Sequence, residues 1–155
     1  MEINNHSVFN NMLLSGYLPG FISTLTFHQL SHTLLWHIGL IEFPPFSLES
    51  TQPFGVPAVL SLAFWGGIWG MLYKLVLSQF PKFKKHYLIL AATLMPTLVF
   101  IIVVAPIKSI PFSIFTLKLI SVAILINFAW ALGTAFFSQR LTNNRPRAVV
   151  QSQLR

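Results

Sequence analysis

The eleven residues FHQLSHTLLWH, Phe27 to His37, bring three histidines and a glutamine into an otherwise apolar run. At about 100° per helical residue, His28 and His32 share a face with Thr24 and Ser31, and Gln29 and Trp36 lie on its flank. His37 points the opposite way. Two imidazoles at i and i+4 suit a metal ion, an axial haem bond, proton transfer near neutral pH, or hydrogen bonds that hold helices together.

The rest of the sequence narrows these options. There is no cysteine and no aspartate, and the three acids are Glu2, Glu42 and Glu49. A metal on His28 and His32 would draw its remaining ligands from water, Asn127 or a substrate. A bis-histidine haem has no obvious second imidazole unless the chain dimerises. Ser31 next to His32 has no orienting acid, and neighbouring positions on a helix do not face each other.

The chain that must position these residues has 155 residues, 54% of them hydrophobic and 8% charged, against roughly 25% charged in an ordinary soluble domain. Too few charges remain to build a water-facing surface. The net charge is +7, but the Lys and Arg residues concentrate in short connections and in the tail, where membrane topology accounts for them. Nucleic acid is therefore not the expected partner; the lipid bilayer is.

The expected fold is all-α, a membrane-spanning four-helix bundle forming a single domain. A span takes ~20 helical residues, and the apolar segments fall at about 14–41, 56–80, 87–105 and 113–137, followed by a basic tail over 138–155. Pro19 and Gly20 read as the turn into the first span, and Pro96 as a kink in the third. The proline-rich connection from Glu42 to Pro57 reads as an irregular loop, and no strand pattern competes with helix. Lys82, Lys84, Lys85, Arg140, Arg145, Arg147 and Arg155 gather on one side and Lys108 on the other, so both termini are expected in the cytoplasm.

At mid-span depth the second helix carries a small-residue stripe, Ala63, Gly66, Gly67 and Gly70, which allows close helix packing. The third carries Thr97 and the fourth Asn127. If these faces turn inward, His28, Gln29, His32, Thr97 and Asn127 form one polar layer, the candidate intramembrane site. Polar groups in lipid cost several kcal/mol each when unpaired, so this layer belongs in the interior.

The stretches FHQ at Phe27 to Gln29, PFGVPAVLSLAFWGGIWG at Pro53 to Gly70, MPT at Met95 to Thr97, AP at Ala105 and Pro106, and NFAWALGTA at Asn127 to Ala135 resemble a family of small uncharacterised bacterial inner-membrane proteins. The resemblance covers the four spans and implies a four-helix, multi-pass protein of the cell inner membrane. It implies no activity, and no catalytic residue is assigned. The expected function is a non-enzymatic membrane module or accessory subunit, working with a membrane-protein partner or as a homo-oligomer. The alternative is a ligand, metal, haem or proton site on His28 and His32. An enzyme acting on lipid through Glu42, Glu49 and His37 ranks last, because the loop carries no recognised motif.

Overall fold

A computed structural model describes residues 13–80 and 84–143. Lys82, Arg145, Arg147 and Arg155 lie outside the described residues, as does most of the basic tail. The chain is mostly helical, with four helices: α1 over 13–37, α2 over Ala58–Gln79, α3 over Lys85–Ile107 and α4 over Leu117–Asn143. The last three are long and apolar enough to cross a membrane. At about 1.5 Å per residue, α1 is roughly 35 Å long, but its serines, threonines and histidines leave it less apolar.

The helix ends have local causes. α1 stops at His37, short of the expected limit at 41, in a Schellman cap. Gly39 there takes φ +72°, its N–H donates to the Trp36 carbonyl, and the Leu40 N–H donates to the Leu35 carbonyl. α3 closes in the same way on Ser109 and Ile110, with Pro111 following. α4 starts at Leu117 and not at 113, because Thr116 Oγ1 accepts the Leu119 N–H at 3.2 Å, as an N-cap does.

Two other expectations are corrected. Pro19 and Gly20 form no turn; they lie buried inside α1, just after a wide π-helical turn over Leu13–Tyr17. A π turn relaxes the steric demand of a following proline on the preceding carbonyls. α3 continues through Pro96 and carries a π turn about one helical turn later, at Phe100–Val104. The loop also contains a two-residue antiparallel pair, Ser50–Thr51 with Val56–Pro57, too short to leave a periodic signal.

α1 runs between α2 and α4, and α3 packs mainly on α4. The closest approach joins α1 to α2, antiparallel, through two matched glycine pairs. A Cβ on Gly20 would strike the Gly66 carbonyl and the Gly70 backbone, and one on Gly16 would press on Met71 and the Gly70 carbonyl. α1 and α4 are tied by hydrogen bonds. Ser23 Oγ donates to the Trp130 carbonyl at 2.6 Å, Trp130 Nε1 to the Gly20 carbonyl at 3.0 Å, and Ser138 Oγ to the Ser15 carbonyl at 2.8 Å.

Small and polar residues are prominent in the buried set: Ser15, Ser23, Thr24, Gln29, Thr93, Thr97, Thr134 and Ser138 join Ala63, Ala105, Ala131 and Ala135, beside the larger Val59, Tyr73, Leu88, Val122, Ile126 and Trp130. Large apolar residues such as Leu30, Leu34, Trp65 and Ile102 lie more than half exposed. The interior thus holds many polar side chains while many large apolar ones lie outside, unlike a water-soluble domain.

Candidate functional site

The second π turn of α1, Thr24–His28, decides which residues of the FHQLSH stretch face inward. The Gln29 N–H reaches back five residues to the Thr24 carbonyl, so the inward stripe steps from Thr24 to Gln29 and not from Thr24 to His28. Gln29 is consequently 1% exposed, while Ser31 and His32 are only part-buried. Regular helical spacing assigned Gln29 to the flank; one extra residue in the turn moves it to the centre. The hydroxyls of Thr24, Thr26 and Thr33 donate to carbonyls four residues earlier, which satisfies them within α1.

Gln29 and His32 hold the loop. Gln29 Oε1 accepts the Phe46 N–H at 2.8 Å, and His32 Nε2 lies 3.1 Å from the Phe43 carbonyl. A carbonyl only accepts, so His32 must carry a proton on Nε2. Together the two side chains fasten Phe43 to Phe46, including the positive-φ residue Phe46, to the C-terminal part of α1. The fastened loop presents Phe43, Phe46, Leu48 and Phe54, the last 87% exposed.

Thr97 and Asn127 form a separate tie, with Asn127 Nδ2 donating to Thr97 Oγ1 at 2.7 Å between α3 and α4. Among the described residues no hydrogen bond joins this pair to His28, Gln29 or His32. Where depth alone groups these residues in one polar layer, the hydrogen bonds form two separate ties, one from α1 to the loop and one between α3 and α4. His28 belongs to neither: its Nδ1 is buried and has no hydrogen-bond partner among the described residues, as does Thr134 Oγ1.

Among the described residues no three of His, Asp or Glu come together as a metal site. His28 and His32 supply two imidazoles, and Glu42 and Glu49 lie exposed in the loop. His37 is exposed beside Trp36.

Ala63, Gly66, Gly67 and Gly70 are all buried. Gly66 meets Thr24 and Gly20, Gly67 seats the Tyr17 ring, and Gly70 meets Gly16 and Gly20. Sequence reasoning missed their counterpart on α1. Gly16 and Gly20 stand four apart like Gly66 and Gly70, which is the small-xxx-small signal, but Pro19 between them argues for a break. It also missed Gly133, which admits Ser23 and the Phe27 ring against α4.

Replacing Gln29 by Leu leaves the Phe46 N–H without its acceptor, a loss of about 1–3 kcal/mol. Limited proteolysis within residues 38–57 should then speed up, whereas Asn127→Leu should leave loop cleavage unchanged. Equal acceleration by both variants would show that the two ties act as one layer.

Comparison with protein-family models, with curated proteins and with solved structures gives no match.

Proposed function

We propose that the chain is a non-enzymatic, four-crossing membrane protein of a bacterial inner membrane, with both termini cytoplasmic, serving as a structural module or accessory subunit. Membrane insertion is supported by the many large Leu, Ile, Phe and Trp side chains exposed on the helix faces, which are stable against acyl chains and unfavourable in water. The inner-membrane assignment follows the family resemblance, and the orientation follows the lysines and arginines. α1 counts as the fourth crossing because it lies antiparallel to α2 from Gly16 to Thr24, with Ser15, Ser23, Thr24 and Gln29 buried against its neighbours.

The observation that carries the non-enzymatic reading is the engagement of the candidate polar residues. Gln29, His32, Thr97 and Asn127 all hold parts of this same chain, and bonds of this kind contribute about 0.6–2 kcal/mol each in membranes. A partner in the bilayer would meet the exposed apolar helix faces or the aromatic loop.

His28 favours a second reading. Its buried Nδ1 has no partner among the described residues, and an intramembrane ionisable group suggests a function by default, here a ligand, metal, haem or proton site. Absorption spectra and metal analysis of the detergent-purified protein separate the two. A structural role for His28 and His32 predicts no Soret band and no stoichiometric metal, with alanine at either position lowering stability or altering association. A chromophore or metal lost on His28→Ala would replace the first reading with the second.

A further inference from the structure

α2 and α3 are consecutive but touch each other far less than each touches its other neighbour. Between them lies a crevice with about 100 Å³ of free space, walled by Trp69, Tyr73 and Val76 of α2 and by Leu88, Ala92 and Met95 of α3, with Trp130 of α4 also contributing. The walls are apolar. From Leu88 to Met95 the crevice descends seven residues, about 10 Å along the helix.

Its upper end carries charge. Lys85, Leu88, Ala92 and Met95 are spaced i, i+3, i+7 and i+10, one stripe of α3. Lys85 and the preceding Lys84, both exposed, stand about one turn from Leu88, the wall residue nearest that end. Lys74 does not join them, since its Cβ faces Gly16 on the α1 side. Among the described residues the only acidic side chains, Glu42 and Glu49, sit in the loop beyond the opposite ends of α2 and α3.

We infer that this crevice seats one acyl chain of an anionic phospholipid whose headgroup rests on Lys84 and Lys85. The inference relies on the bilayer insertion proposed above and deepens it by assigning a lipid class to one place. Lysines near an anionic leaflet attract lipid at about 1 kcal/mol each without selecting a position. Here an apolar slot ends about one helical turn from two of them, so headgroup and chain can be held together. A helix, about 10 Å across with its side chains, does not enter 100 Å³; a few carbons of a chain do.

The test is thermal unfolding of the full-length protein in a non-ionic detergent with added lipid. Phosphatidylglycerol should raise the midpoint by about 4 °C or more, phosphatidylcholine with the same chains should not, and glycerol 3-phosphate should have no effect. The shift should be lost in Lys84→Gln/Lys85→Gln, which changes only exposed side chains. It should also be lost in Ala91→Phe, which fills the crevice from an exposed position in its wall. Equal shifts with both lipids, a shift reproduced by glycerol 3-phosphate, or a shift surviving either variant would overturn the inference. Whether the protein stays in membranes through an alkaline carbonate wash tests the insertion itself, so the two failures remain distinguishable.

Discussion

Gly20→Val is expected to destabilise the protein by about 3 kcal/mol, the upper part of the range for overpacking a closed contact, in an unfolding titration in detergent. The first carbon added at this position meets the carbonyl of Gly66 and the backbone of Gly70, and backbone has no rotamer by which to yield. α1 would have to move away from α2, and α1 is also the helix that carries the ties to α4 and to the loop. A graded series checks the cause. Gly67→Ala should cost less than Gly20→Ala, because it meets only the Tyr17 ring, and Leu62→Val on the exposed face should stay within about 0.5 kcal/mol. If Gly20→Val unfolds at the wild-type denaturant concentration, the glycine-to-glycine contact does not hold α1 in place.

Trp130→Ala is expected to lose about 3–5 kcal/mol, as buried Phe and Trp residues do when truncated. Trp130 is 3% exposed, packs at the meeting of α1 and α4, and donates from Nε1 to the Gly20 carbonyl. Its own carbonyl accepts from Ser23, so both its side chain and its backbone serve the α1–α4 contact. Trp130→Phe helps to separate the two contributions: it removes the N–H donor but keeps a six-membered ring in place, so its expected loss is smaller, about 1–3 kcal/mol from the hydrogen bond and the small void together. The same unfolding titration reads both variants. Equal losses in the two would assign the effect to the hydrogen bond and leave the packing of the indole without weight.

Both predictions concern contacts that the sequence displayed unevenly. Composition and the length of the apolar runs are enough to expect four helices, because hydropathy over ~20 residues is a strong signal. Gly66 and Gly70 also stand out, since nothing near them suggests any other use. Gly16 and Gly20 carry the same spacing, yet Pro19 lies between them, and a proline's ordinary effect is to end or bend a helix. What reconciles Pro19 with α1 is the π turn ahead of it, a backbone feature set by packing against α2 and α4 and not by local propensity.

The candidate site shows the same limit more sharply. The residue types and approximate depth of His28, Gln29 and His32 can be read from the sequence, but which of them faces inward depends on one extra residue in the turn at Thr24–His28. Periodicity of 3.6 cannot reveal that shift, and it exchanges Gln29 for His28 on the inward stripe. The partners of Gln29 and His32 were equally hidden, because they are backbone groups of Phe43 and Phe46 in an irregular loop. A loop that folds back onto its own helix leaves no periodic trace. The Thr97–Asn127 bond was within reach of depth matching, since both fall near the middle of neighbouring spans, but depth alone does not say which helices touch.

The structural reading of the polar residues requires that α1 crosses the bilayer with the other three helices. The chain contains no cysteine, so single cysteines introduced at Ser7, Ser50, Ser113 and Ser152 report sidedness without background. With a membrane-impermeant maleimide on cells whose outer membrane has been opened, Ser50→Cys and Ser113→Cys should label at once. Ser7→Cys and Ser152→Cys should label only after the inner membrane is permeabilised. Labelling of Ser7→Cys together with Ser50→Cys from outside would mean that α1 does not cross, contradicting the four-crossing arrangement and the interior position of Gln29 within it.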